Sequence, residues 1–216
     1  MLIDEALLID DVSNPVATLL LAHGAGAPMD SAGMNDITAP LVARGIRVVR
    51  FEFGYMAARR SGVRKPPPRA DTLVGEYRDA VAQVSGLPLF IGGKSMGGRV
   101  ASMIADELYD TGTISGLVCL GYPFHPPGKL DQLRTAHLEH LRTPTLICQG
   151  TRDEFGTFDE VQGYALSPAI DIHWLEDGDH SLVPRKAISG RTKAQNLGEA
   201  ADAVLRFVEL AENTGM

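Results

Sequence analysis

The feature that most restricts this chain is an alternation in which short apolar runs rich in β-branched residues are separated by segments of helical period. The runs are "ALLID" (6–10), "ATLLLA" (17–22), "IRVVRFEF" (46–53), "PLFIG" (88–92), "SGLVCLG" (115–121), "TPTLICQG" (143–150) and "IDIHWL" (170–175). Several are apolar on both faces, as strands covered on both sides must be. Between them, Leu73, Val74, Tyr77, Val81 and Val84 form one helical stripe, and Val100, Met103, Ile104 and Leu108 form a second. Leu197, Ala201, Val204, Leu205, Val208 and Ala211 form a third. The stretch "KLDQLRTAHLEHL" (129–141) also reads as helical. This pattern predicts an α/β fold: a single doubly wound, mostly parallel sheet with helices on both faces and active loops at the carboxyl ends of its strands. No linker, repeat or composition break interrupts the 216 residues, so one domain spanning 1–216 is expected.

Charge and cysteine usage narrow the function classes. The net charge of −7 argues against a nucleic-acid binder, and the acidic "MLIDEALLIDD" start lacks the basic region of a secretory leader. The run "VATLLLA" is too short to span a bilayer, so a cytoplasmic protein with no membrane partner is expected. Cys119 and Cys148 each lie in a strand-like run, which favours buried reduced thiols over a disulfide. The six His are scattered without metal-ligand spacing, and neither a metal nor a cofactor is expected.

The charge is unevenly spread. Residues 54–70 hold Arg59, Arg60, Arg64, Lys65 and Arg69, and residues 181–193 hold Arg185, Lys186, Arg191 and Lys193, with no acid in either segment.

The sharpest motif is "GGKSMGG" (92–98). Its Gly-Lys-Ser suggests a phosphate loop, but G-x-x-x-x-G-K-[ST] puts Pro88 at the first glycine, where a residue without N–H cannot join a phosphate cradle. The pattern G-x-S-x-G fits instead, as Gly93-Lys94-Ser95-Met96-Gly97 between a strand and a helix. There the serine stands on a strained turn and is a candidate nucleophile, whereas a plain glycine turn with a capping serine is the alternative. Asp153 follows one later strand and His180 the next, in the chain order Ser, acid, His. Glu154, Asp177 and Asp179 are competing acids, with Asp179 second in line. A fourth element, His23-Gly24-Ala25-Gly26 after "ATLLLA", fails the dinucleotide pattern because Met29 replaces the third glycine. It suits a backbone oxyanion donor: the amides of Ala25 and Met96 are the candidates, and His23 is expected to hold the loop.

On these residues the chain resembles an α/β-hydrolase. More narrowly, "LAHGAGAPMDS", "GGKSMGGRVAS", "GYPFHPPGK", "QGTRDEFG" and "LEDGDHSL" resemble a small hydrolase family that includes the testis-expressed and NSL-complex-subunit proteins, and more distantly the dienelactone hydrolases. The resemblance implies Ser95 as nucleophile, Asp153 as acid and His180 as base, but it supplies no substrate; the function expected is a serine hydrolase that cleaves a small acyl ester or thioester through an acyl-enzyme. The competing class is a non-catalytic binding or scaffold module on the same fold.

Only residues 121–142 separate two strands where many such enzymes insert a lid, so an open cleft without a lid domain is expected. Tyr122 and Phe124 are expected to form one wall, with His125 either touching substrate or structural. Arg59 and Arg60, on the first basic segment, are candidates for favouring an anionic substrate, against the alternative that both basic segments are merely solvated.

Overall fold

The computed structural model describes residues 7–84 and 88–214, with side chains through residue 211. Ala6 of the first apolar run and the acidic residues before it lie outside the described residues. All seven runs form strands: β1 (Leu7–Asp10), β2 (Ala17–Ala22), β3 (Ile46–Phe51), β4 (Leu89–Lys94), β5 (Gly116–Leu120), β6 (Thr145–Gly150) and β7 (Ile170–Leu175). They make one sheet in the order β1-β3-β2-β4-β5-β6-β7. Every pairing is parallel except β1 with β3, where Leu7 stands opposite Phe51.

The helices are α1 (Ala32–Val42), α2 (Gly54–Arg60), α3 (Val74–Ala82), α4 (Met96–Ser102), α5 (Ala105–Asp110), α6 (Phe158–Val161), α7 (Lys186–Ser189) and α8 (Lys193–Thr214). The two-residue period of the strands sorts their side chains into two cores. Leu20 and Ala22 of β2 join Tyr77, Val100 and Ile104 on one face, whereas Leu19 and Leu21 join Ile37, Leu41, Val204 and Val208 from α1 and α8 on the other. The same period separates the thiols. Cys119 pairs with Ile147 and Leu120 with Cys148, so the cysteines point to opposite faces and both remain free and buried.

The sheet also places the site. After β2 the chain crosses through α1 to β3, whereas after β4 it crosses in the other direction to β5. The loops leaving the carboxyl ends of β2 and β4 therefore part from each other and open a crevice, the usual ligand position in a doubly wound sheet.

Two helical expectations need correction. The stripe Val100–Leu108 is not one helix: the Met103 and Ile104 amides donate to Val100 and Ala101 in tighter i to i−3 bonds (3.2 Å each), and the helix restarts at Ala105. The stretch 129–141 is a series of turns rather than a helix. Its internal backbone bonds are isolated i to i−3 turns, at Gln132 and Leu138, and others go to distant segments: the Arg134 amide donates to the Phe124 carbonyl (2.7 Å) and the Ser167 amide to the Leu138 carbonyl (3.0 Å). Leu138 and Leu141 are buried while Leu130 and Leu133 are exposed, so the four leucines do not share a face. Helix α1 escapes a sequence reading because Pro40 interrupts it. Packing of Met34, Ile37, Thr38 and Leu41 and the Ser31 cap hold it regardless.

Candidate active site

β4 runs through Gly92 and Gly93 to Lys94, turns at Ser95 and enters α4 directly. Ser95 adopts φ 52° and ψ −116°, a conformation an L-residue holds only under constraint. The flanking glycines impose that turn. A Cβ on Gly93 would lie 2.4 Å from the Gly97 carbonyl carbon, and one on Gly97 would lie 2.6 Å from the Ala22 carbonyl oxygen. Helix α4 can thus pack against β2 and β4 only with glycine at both positions, which is the physical content of G-x-S-x-G here.

Three side chains from three strand ends meet at this turn. Ser95 Oγ lies 2.7 Å from His180 Nε2. His180 Nδ1 faces both Asp153 oxygens, at 3.0 Å from Oδ1 and 2.8 Å from Oδ2. Asp153 is fully buried, so its carboxylate cannot lean on water and holds the imidazole as the Nδ1–H tautomer. Nε2 is then free to accept the serine proton. Burial pulls the His180 pKa below the ordinary imidazole value; Asp153 opposes that shift and the nearby Lys94 charge adds to it. Lys94, the variable residue of the elbow, is itself driven down to about 8 by desolvation.

Of the competing acids, Glu154 is exposed, and Asp179 and Asp177 are committed elsewhere. Asp179 Oδ1 accepts the amides of Ser181 (2.8 Å) and Val183 (3.0 Å), shaping the loop that carries His180. Asp177 is bound to Arg185. Two residues that the sequence reading did not single out complete the arrangement. Gln149 Nε2 donates to Asp153 Oδ2 (2.9 Å) while its carbonyl accepts the Tyr122 amide (2.7 Å), so a fully buried amide fixes the acid. Phe155 lays its ring over His180 with centroids 4.1 Å apart, and its amide donates to Asp153 Oδ1 (2.9 Å). A buried glutamine closing an otherwise apolar strand was the available signal for the first.

His23 is buried behind the elbow, where Nδ1–H donates to the Gly24 carbonyl (2.7 Å) and Nε2 accepts the Phe53 amide (3.1 Å). It braces the loop, as its position predicts. Ala25 and Met96 stand beside Ser95 along one cavity, and their amides donate to no other described residue.

The expected substrate contacts are placed differently. Tyr122, Phe124 and His125 are all essentially buried and form no wall of the cleft. The tight Gly121 turn tucks them under the sheet edge, where Tyr122 and Phe124 join the core and His125 contacts Glu160 and the Pro126 carbonyl. Pro123 between them lines the cleft instead. Arg60 is occupied by Glu52 and Asp30 and borders a separate depression. Arg59 reaches the carbonyls of Gly26 and Lys65 and lies near the face of Tyr55, so it braces the rim loop. Most of the remaining cations of the two basic segments are likewise paired: Arg69 with Asp71, Arg185 with Asp177, Arg191 with Glu199 and Lys193 with Asp36.

Around Ser95 the crevice has two lobes. One, of about 470 Å³, lies toward α4 and is lined by Arg69, Arg99, Met103 and Arg134. The other, of about 390 Å³, lies toward α1 and is lined by Ala27, Met34, Ile37 and Lys94. Ala25, Ser95 and Phe155 border both. Among the described residues no His, Cys, Asp and Glu group could hold a metal, and no helix is long and apolar enough to cross a membrane.

A family model described as alpha/beta hydrolase domain matches residues 15–209. Among solved structures, the chain is similar to a dienelactone hydrolase from Anabaena variabilis (TM-score 0.68, 16% identity, covering 94% of this chain and 90% of that one). It is similar to an α/β serine hydrolase without lid from Xanthomonas campestris (TM-score 0.66, 19% identity, covering 93% and 88%). It is also similar to Est1E from Butyrivibrio proteoclasticus with ferulic acid bound (TM-score 0.65, 13% identity, covering 96% and 95%). At these identities the likeness is one of fold.

Proposed function

Because the chain belongs to the alpha/beta-hydrolase domain family and carries the linked Ser-His-Asp network of a serine hydrolase, we propose that it cleaves a small acyl ester or thioester through an acyl-enzyme. The observation that carries this reading is the unbroken relay from Ser95 Oγ through His180 to Asp153. His180 Nε2 takes the Ser95 proton as Oγ attacks the acyl carbonyl, and Asp153 stabilises the imidazolium. The amides of Ala25 and Met96 receive the negative charge that develops on the carbonyl oxygen. As the tetrahedral intermediate collapses, the leaving group departs with the proton from His180. Water then attacks the acyl-serine with His180 again accepting a proton, and the free acid and the Ser95 hydroxyl are restored.

We further place the whole 216-residue chain as one hydrolase domain with the small testis-expressed and NSL-subunit-like hydrolases, in the cytoplasm. The five motifs quoted above support the family placement, and two free buried thiols suit a reducing compartment.

A fluorophosphonate probe tests the central reading. Labelling is expected at Ser95, and Ser95→Ala is expected to lose both labelling and roughly four to six orders of magnitude of ester turnover. A folded protein that takes no label and turns over no ester or thioester is a binding module instead.

A further inference from the structure

The lobe toward α4 holds two arginines whose charge no neighbouring side chain takes up. Arg99, on α4, and Arg134, in the turns between β5 and β6, both line it, and neither guanidinium makes a hydrogen bond or ion pair to any described residue. Arg99 Nε is moreover buried without a partner. Buried polar nitrogen in native proteins is nearly always satisfied, so a guanidinium kept in this state faces something that it binds. Desolvation, and after it the like charge of nearby Arg99, lower the Arg134 pKa.

No carboxylate offsets them. The one acid lining the lobe, Asp71, is engaged by Arg69 at the rim, and His137, next to Arg99, is held neutral with a pKa near 4, chiefly by burial. By contrast the lobe toward α1 is mostly apolar; of its two lysines, Lys193 is paired with Asp36 and the charge of Lys94 faces the nearby carboxylates of Asp153 and Asp179. The crevice thus has one cationic and one apolar end, with Ser95 between them.

We propose that the lobe toward α4 is an acid-group subsite in which Arg99 and Arg134 bind a carboxylate or phosphate carried by the acyl substrate. Planar guanidinium groups pair with such groups through two parallel N–H donors, and a partly desolvated site makes the pairing stronger than at an open surface. Arg99 stands four residues after the nucleophile on the same helix, so an acid group held there fixes the distance from the scissile carbonyl to the charged end. The chain is then selective for esters of short acidic compounds. This inference rests on the serine-hydrolase reading for the site's chemistry, but the acid group's recognition can be measured without turnover.

The experiment compares kcat/KM for a p-nitrophenyl half-ester of glutaric acid, its methyl-capped neutral counterpart, and a phosphate-bearing ester of equal length. At low salt one of the acidic esters is expected to exceed the neutral one by about tenfold to a hundredfold, and the better of the two identifies the acid group. The ratio should shrink as salt screens the arginines. In Arg99→Gln or Arg134→Gln it should fall toward one, and Arg134→Glu should turn the preference toward an amine-bearing ester. Arg60→Gln, whose guanidinium sits on Glu52 and Asp30 away from the lobe, should retain the starting ratio. Should Arg99→Gln not fold, Arg134→Gln carries the comparison. Neutral and acidic esters cleaved equally well, or a preference unmoved in Arg134→Gln, would overturn the subsite while leaving the hydrolase reading intact. Calorimetric binding of the N-methyl monoamide of glutaric acid and of a matched phosphate to Ser95→Ala reads the subsite directly. Failure of both compounds to bind, or binding unchanged by Arg134→Gln, overturns it even if no ester is turned over.

Discussion

At the scale of single residues, the site turns on what burial does to His180. Its pKa lies below the ordinary imidazole value, so the neutral form that accepts the Ser95 proton persists into mildly acid solution. The acid limb of kcat/KM against pH is therefore expected below the titration of a free histidine; a limb at or above that value contradicts the burial argument. Gln149 gives this a second handle. Its amide shares the Asp153 carboxylate with His180, so removing that donor leaves more of the negative charge to the imidazolium. Gln149→Met is expected to move the acid limb upward and to reduce kcat. A variant that is merely less stable would leave the limb in place.

At the scale of elements, the elbow depends on how α3 and α4 are seated against the sheet. The Tyr77 hydroxyl, reaching from α3, accepts the Gly92 amide (2.9 Å) and donates to the Gly92 or Leu20 carbonyl (2.6 or 3.0 Å). It therefore links β2 to β4 three residues before the nucleophile, where the Tyr77 side chain is fully buried. Tyr77→Phe conserves the ring and removes that partner. It is expected to lower unfolding stability by about 1–3 kcal/mol, the cost of leaving a buried amide unsatisfied. Urea unfolding measures it, and a change under about 0.5 kcal/mol would show that the hydroxyl contributes little beyond packing.

At the scale of the whole molecule, three histidines are held below their ordinary pKa chiefly by burial: His23 behind the elbow, His137 under the cationic lobe and His180. Each is neutral when folded and binds a proton once unfolded below the ordinary imidazole value, so the unfolded state takes up more protons and stability falls as pH falls. The sign is the same for all three. The window opens at the free imidazole pKa and extends down to about 4, where His137 protonates in the folded protein as well. Since about 1 kcal/mol moves the midpoint of a chain this long by roughly 2–4 °C, Tm is expected to drop by more than about 5 °C between about pH 7.5 and about pH 5. A flat thermal profile over that range would show that these side chains are solvated.

By itself the sequence determined what is local in the chain. Alternation of apolar runs set the seven strands, and residue order placed Ser95, Asp153 and His180 at strand ends, because both signals live within a few residues of one another. Those signals also separated the elbow from a phosphate loop, through Pro88. Only the tertiary structure decided what depends on encounters between distant segments. It buried Tyr122, Phe124 and His125 where a wall was expected, and unravelled 129–141 because its carbonyls and amides found partners outside a helix. It gave Arg59 and Arg60 partners, and left Arg99 and Arg134 without any. Every one of these cations looks alike along the chain. Whether its charge is spent on a neighbouring group or held for a ligand is fixed only when helices and loops far apart in sequence are brought to the same edge of the sheet.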